Sequence, residues 1–245
     1  MDARTPAADL AAKPEAGRKV VIELDSLEVT LPSRAGPVDI LKGLDLQIDQ
    51  GEAVSVVGPS GSGKTTLLMV IAGLERATGG KAKVAGHDLT ALGEDDLATF
   101  RRDQIGIVFQ SFHLIPAMTA LENVAVPLEF RGSGDAFAEA KAQLERVGLG
   151  HRLDHYPGQL SGGEQQRVAI ARALAAGAKI ILADEPTGNL DQETGQAIMD
   201  LLFELQRTSG TTLVLVTHDP KLAERCSRMV EIRDGLIHKD TGARK

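Results

Sequence analysis

The sequence predicts an α/β fold in which a mostly parallel core sheet carries an antiparallel β layer and an inserted helical lobe. Three observations predict it. Strand-length apolar runs at Lys179–Ala183 and Thr212–Val216 flank a helical stretch at Thr194–Arg207, the alternation that makes βαβ units and a parallel sheet. The start of the chain is β-rich instead, with strands at Val20–Leu31 and Leu41–Ile48. In the second of these, Leu44, Leu46 and Ile48 alternate with Asp45, Gln47 and Asp49, as in a half-buried strand. Between the two parts, residues 111–175 are rich in Ala, Leu, Glu and Gln and read as helices.

Residues 1–19 are Ala, Pro and charge without periodicity and read as a disordered tail; the folded unit spans 20–240. After the two N-terminal strands, Ala53–Val57 is a short apolar run ending in glycine, a buried strand, and a helix follows at Lys64–Leu74. Gly79-Gly80 marks a turn, Ala82–Ala85 a short strand and Ile105–Phe109 the next strand. The helical lobe, about 111–172, breaks near Pro116, Pro127 and Pro157, because proline removes a helical hydrogen bond and crowds the preceding turn. The last helix of the stretch runs from Glu164 to Ala175. Near the end, Met229–Arg233 and Leu236–His238 flank Asp234-Gly235, the signature of a two-residue hairpin turn.

The 245 residues are 42% apolar and 25% charged, an ordinary globular balance with chain enough for one substantial core. A net charge of −7 and the lack of a basic block argue against a nucleic-acid partner, because phosphate-backbone binding needs clustered cations. Cys226 is the single cysteine, so no internal disulfide forms and a reducing compartment fits; it reads as a helix residue near the core. No stretch approaches the ~20 apolar residues that span a bilayer, and the N-terminus carries no apolar leader region. A role at a membrane therefore requires a membrane-embedded partner.

Gly58-Pro59-Ser60-Gly61-Ser62-Gly63-Lys64-Thr65 fits G-x-x-x-x-G-K-[ST], a phosphate-binding loop, and lies between a strand and a helix as that loop must. Its glycines let backbone N–H groups converge on phosphate oxygens, the helix N-terminus adds partial positive charge, and Lys64 adds a full one. Thr65 offers a hydroxyl to Mg²⁺, and Thr66 follows it in the first helical turn. Ile180–Ala183 ends in Asp184-Glu185, two carboxylates at the C-terminal edge of a buried strand, where α/β proteins bind ligands. Asp184 suits Mg²⁺, and Glu185 suits the orientation and partial deprotonation of a water.

Three further features each keep two readings. Gln110 follows the strand Ile105–Phe109 as a solvated strand end or as a site residue. Leu160-Ser161-Gly162-Gly163-Glu164-Gln165 opens a helix, as an effective N-cap or as a second anion-binding helix start. His218 follows the strand Thr212–Val216 as a solvated turn residue or as a site residue.

Taken together, from Val20 to His238, these parts resemble the nucleotide-binding domain of ABC transporters. The matching segments are the P-loop Gly58–Thr65, the Q-loop at Gln110, the signature Leu160–Gln165, the strand ending in Asp184-Glu185, the D-loop Gly188-Asn189-Leu190-Asp191 and the switch His218. The resemblance implies a P-loop NTPase with a RecA-like core sheet, an antiparallel β subdomain and an inserted α-helical subdomain, hydrolysing ATP with Mg²⁺. It implies that Gln110 reaches Mg²⁺ and that His218 contacts the γ-phosphate. It also implies a homodimer, in which Ser161 and Gly163 contact the γ-phosphate of the ATP bound to the opposite subunit, with Gly162 and Asp191 also among the nucleotide-binding residues.

Phe109–Pro116, Leu121–Val124 and Ala183–Asp191 look most like the lipoprotein-release and macrolide-export subfamily (LolD-like and MacB-like), and Leu149–His155 looks like its YbbA-type members. Such ATPases power a separate permease that carries extracytoplasmic domains. The resemblance therefore implies a peripheral subunit on the cytoplasmic face of the inner (plasma) membrane. The permease would touch it through the Q-loop and helical subdomain, Phe112, Leu114 and Leu121 included. A soluble ABC-type ATPase of DNA repair or translation, or a regulatory ATPase of a membrane complex that is not itself a pump, stays as the alternative.

In one place the chain departs from the family pattern. No Phe, Tyr or Trp precedes Phe100, and Leu31 in Thr30-Leu31-Pro32-Ser33 stands where the family stacks an aromatic side chain on adenine. The expected base contact is weaker and less selective, since such stacking contributes roughly 1–3 kcal/mol per base.

Overall fold

The computed structural model describes residues 19–34 and 36–242; apart from Lys19, the tail expected over 1–19 lies outside them. In chain order the elements are β1 (Val20–Ser33), β2 (Gly36–Asp49), β3 (Ala53–Val57), α1 (Lys64–Ile71), β4 (Gly79–Val84), β5 (His87–Asp88), α2 (Glu94–Gln104) and β6 (Ile105–Phe109). They continue with α3 (Ala120–Phe130), α4 (Ala136–Arg146), a short 3₁₀ turn at Pro157–Gln159, α5 (Gly162–Ala175), β7 (Ile180–Asp184) and α6 (Gln192–Ser209). The last are β8 (Thr212–Val216), α7 (Pro220–Ala223), β9 (Arg228–Arg233) and β10 (Leu236–Asp240).

Two sheets result. The antiparallel one runs β2-β1-β4-β5, and the core sheet runs β10-β9-β3-β8-β7-β6. Within the core sheet only the edge strand β10 is antiparallel to its neighbour. Strand alternation divides the apolar side chains between two layers. Ile180, Leu182, Val214 and Val216 face α1, α2 and the antiparallel sheet. Ile181, Ala183, Leu213 and Leu215, one position out of phase, pack with α3, α4, α5 and α6.

Register then decides what meets at the C-terminal edge. Val56 lies opposite Val216, Val216 opposite Asp184, and Asp184 opposite Phe109. The residues that follow these strands, Gly58, Thr217 and His218, Glu185, and Gln110, are thereby gathered at one edge of one sheet.

Three expectations are corrected and one helix is added. Gly79 and Gly80 lie inside β4 rather than in a turn. A Cβ at Gly80 would overlap the Ser26 carbonyl oxygen, beside the register shift of β1 between Asp25 and Glu28, so glycine is needed there for close backbone approach. Pro127 sits within α3 and does not break it; Thr119 and Glu122 close a capping box, and Val124, Ala125 and Leu128 bury the inner face. Helix α2 was not expected, because Leu97 and Phe100 are its only buried residues and give little periodicity. Cys226 falls in the bend after α7 rather than in a helix, and burial pushes its thiol up to about 11, which keeps it protonated and unreactive.

Candidate functional site

The phosphate loop connects β3 to α1. Gly58, Gly61 and Gly63 all have positive φ, at 146°, 78° and 102°. A Cβ at Gly58 would clash with the Ile232 carbonyl oxygen, and one at Gly63 would lie 2.7 Å from Leu41 Cδ2. Glycine is therefore required there by conformation and by space. Helix α1 begins at left-handed Gly63 with no side chain capping it, so its first N–H groups remain available to an anion. The buried Lys64 ammonium donates to Gly58 O at 3.0 Å and Pro59 O at 2.8 Å, bracing the loop. Ser62 Oγ is buried without a hydrogen-bond partner among the described residues.

The loop floors a cleft lined by Gly58, Ser60, Gly61, Gly63, Lys64, Thr65 and Thr66, with Glu185, His218, Val216 and Ile40. Thr65 Oγ1 donates to Asp184 Oδ2 at 3.0 Å. Burial raises the Asp184 carboxyl above its ordinary pKa; the Thr65 hydrogen bond and Lys64 oppose this, and the Glu185 charge adds to it. Glu185 adopts a left-handed conformation, φ 46°, fixed by its N–H to Val216 O at 3.0 Å. Its Oε2 lies 3.3 Å from His218 Nδ1. Nucleotide phosphates fit this donor set. Among the described residues no cluster of three or more His, Cys, Asp or Glu forms a metal cage. Thr65 Oγ1 and the Asp184 carboxylate fit Mg²⁺, which takes one or two protein oxygens plus phosphate oxygens and water.

The remaining predicted residues lie elsewhere. Gln110 does not line the cleft. Its Nε2 donates to Asn189 Oδ1 and its carbonyl accepts from Asn189 Nδ2, both at 3.1 Å. The contact fits because Gly188 has no side chain where the Gln110 amide lies. Ser161, Gly162 and Gly163 are also absent from the cleft. Exposed Ser161 caps α5 reciprocally with Glu164: Ser161 N–H donates to Glu164 Oε2 at 2.9 Å and Ser161 Oγ accepts from Glu164 N–H at 3.3 Å. A Cβ at Gly163 would lie 2.5 Å from Thr194 Cγ2, and one at Gly162 3.1 Å from Leu190 Cδ2. The signature turn thus packs on the start of α6, which Asp191 caps by accepting from Thr194 N–H at 2.9 Å. Leu31 packs beside the first core cluster, and Ile40 of β2 is the hairpin side chain at the cleft.

Sequence reasoning missed three supporting residues. Fully buried Gln166 donates to Pro186 O at 2.6 Å, steadying the turn after Glu185; a polar side chain on the otherwise apolar face of α5 was its available signal. Arg172 donates to His113 O at 2.7 Å and Phe112 O at 3.0 Å, holding two consecutive residues with φ of 48° and 60°. Asn189 was visible only as part of the D-loop, and its partner could not be read from spacing.

Comparison with known proteins identifies the family. Residues 41–188 match the ABC transporter family. The chain is 47% identical over 222 residues to the ABC transporter ATP-binding protein YbbA of Escherichia coli (strain K12), covering 90% of this chain and 97% of that one. It is 51% identical over 205 residues to the lipoprotein-releasing system ATP-binding protein LolD of Geobacter metallireducens, covering 83% and 91%. Against the macrolide export ATP-binding/permease protein MacB of Marinobacter nauticus it is 47% identical over 225 residues, 91% of this chain but 35% of that longer one. Among solved structures, the dimeric post-hydrolysis state of the ATP-binding cassette MJ0796 with ADP and Pi superposes with a TM-score of 0.84 at 42% identity, covering 91% of this chain and 99% of that one. The chain belongs to the ABC transporter family, as an ATP-binding and ATP-hydrolysing cassette.

Proposed function

We propose that this chain, through a cassette spanning 20–240 with a helical lobe at about 111–172, works as one half of a homodimer that closes on two ATP molecules and drives a membrane permease. One observation carries the reading: the signature turn does not line the cleft that the phosphate loop of the same chain floors. A head-to-tail pair related by a two-fold axis brings each Ser161–Gly163 turn to the other copy's phosphate loop. The dimeric relative with ADP and Pi supports it.

In this reading Gly58–Gly63 and the N-terminus of α1 bind the triphosphate, and Lys64 leaves its two carbonyls to meet phosphate oxygens. Thr65 and Asp184 hold Mg²⁺, which supplies charge neutralisation at the phosphates. Glu185 orients the attacking water and accepts its proton, while His218, on its flank, donates to the γ-phosphate. Gln110, paired with Asn189 in this chain, would be a further ligand for the metal. Ser161, Gly162 and Gly163 contact the partner copy's γ-phosphate, and Asp191 lies at the same junction.

Among the described residues no helix is long and apolar enough to cross a membrane. By likeness to the lipoprotein-release and macrolide-export relatives, the permease holds the subunit at the cytoplasmic face of the inner membrane. The Q-loop and helical lobe receive the permease, which by likeness to the lipoprotein-release and macrolide-export relatives carries an extracytoplasmic domain. Half-buried Phe112 is the more available contact there, since Leu114 and Leu121 pack on the second core cluster.

Mixing two inactive variants tests the shared site. Lys64→Ala spoils the phosphate loop and Ser161→Arg spoils the signature turn. Each alone is expected to lose ATPase activity. An equimolar mixture is expected to recover about a quarter of wild-type activity, since half the dimers are mixed and each has one intact composite site. No recovery, from chains shown to exchange subunits, refutes the composite site.

A further inference from the structure

We propose that the β9–β10 turn is a backstop that sets the shape of the phosphate loop, and that Gly235 is a positioning residue for nucleotide binding. The proposal rests on the ATP-binding reading of the cleft. Three backbone segments remote in sequence meet behind that loop. Gly235 N–H donates to Ser62 O at 3.2 Å, and Gly235 O accepts from Lys42 N–H at 3.1 Å. The turn therefore ties the loop to β2 through a single residue. The surrounding approaches are equally tight. Gly58 stands against the Ile232 carbonyl, Gly63 lies 3.1 Å, measured from an added Cβ, from Ile40 O, and a Cβ on Gly235 would overlap that same Ile40 oxygen. Ile40 also lines the cleft.

Hairpin chemistry alone explains only part of this. Asp234 and Gly235 have φ of 48° and 79°, the pair that a two-residue type I′ turn demands, and asparagine tolerates that conformation. What asparagine brings, and the site cannot accept, is a Cβ. Although the turn protrudes at Asp234, Gly235 itself is buried. A side chain there must push β2 or the loop aside, and either movement displaces groups that line the cleft.

The test is equilibrium binding of ATP to the purified full chain carrying Gly235→Ala or Gly235→Asn. The control is Gly86→Ala, whose φ is 88° and whose Cβ would meet nothing within 4 Å. We expect both Gly235 variants to weaken ATP binding by about tenfold, equivalent to about 1.4 kcal/mol, and Gly86→Ala, strained by its backbone conformation alone, to change it less than about twofold while still losing some thermal stability. In steady-state assays the loss falls on KM rather than kcat. If the Gly235 variants do not fold, a glycine inserted after Gly235 slackens the turn without adding a side chain, and the same loss is expected. Wild-type affinity in Gly235→Asn or in the insertion variant, or an equal loss in Gly86→Ala, overturns the proposal. Failure of the wild-type chain to bind ATP overturns the functional reading instead.

Discussion

Helices α1 and α5 both begin with glycine-rich turns, yet their N-termini are finished in opposite ways. The start of α1 has no side-chain cap and no acidic residue in its first turn. It leaves donors unsatisfied and sets Lys64 beside them. The start of α5 is closed by its own Ser161–Glu164 capping box, and Arg152 holds the same glutamate at 2.9 Å. An uncapped helix start is an anion site already in the isolated chain, whereas a self-capped one has little to gain until a second phosphate-bearing surface arrives. The difference teaches that binding and closure are separate tasks. In the proposed dimer, one is built into the backbone of the monomer, and the other is completed by assembly.

The largest expected effect breaks these tasks apart. Glu185→Gln keeps the α1 cradle and the Ser161 turn but removes the proton acceptor. Hydrolysis is expected to fall about 10²–10⁴-fold, with ATP affinity retained and an ATP-dependent dimer that persists in size-exclusion chromatography. Near-normal turnover would remove Glu185 from its role. A smaller effect sharpens the comparison. Thr119–Glu122 at α3 is a second capping box of the same form as Ser161–Glu164. Thr119→Ala and Ser161→Ala are each expected to cost about 1 kcal/mol of stability in denaturant unfolding. Only Ser161→Ala is expected to lose ATPase activity. Equal losses of activity would reduce Ser161 to a cap.

Both helix starts were legible in the sequence, the loop before α1 by its spacing and the Ser161 turn as an N-cap; what ties them to distant residues was not. Ala53–Val57, Ile105–Phe109 and Thr212–Val216 are strands within the bounds that apolar periodicity sets, and the loop Gly58–Thr65 announces itself by spacing. These features are local, so a linear pattern contains them. Helix α2 escaped because its evidence is electrostatic: Glu94, Asp95 and Asp96 open it and Arg101 and Arg102 close it, as the helix dipole favours. The Gln110–Asn189 pair, the Arg172 clamp on Phe112 and His113, and the approach of Gly235 to Ser62 join residues far apart in the chain. Only register and packing bring them together.

The smallest expected effect is also the most direct contrast between the two helix starts. Asp184, facing α1, has its carboxyl pushed up, chiefly by burial, so its ionised form costs the nucleotide-free chain stability. Glu164, inside the α5 cap, has its carboxyl held down, first by the Ser161 backbone N–H, then by the Ser161 hydroxyl and Arg152, so its ionised form contributes stability. Without nucleotide or metal at neutral pH, Asp184→Asn is expected to raise the melting temperature and Glu164→Gln to lower it. As pH falls, protonation of Asp184 in the folded chain removes the cost that Asp184→Asn relieves. The Glu164 contribution is present above the unfolded carboxylate pKa and is lost as pH falls through the lower folded one. Both differences therefore shrink in acid. If Asp184→Asn instead destabilised the nucleotide-free chain at neutral pH, its carboxylate would be part of the resting structure rather than a charge held ready for a cation.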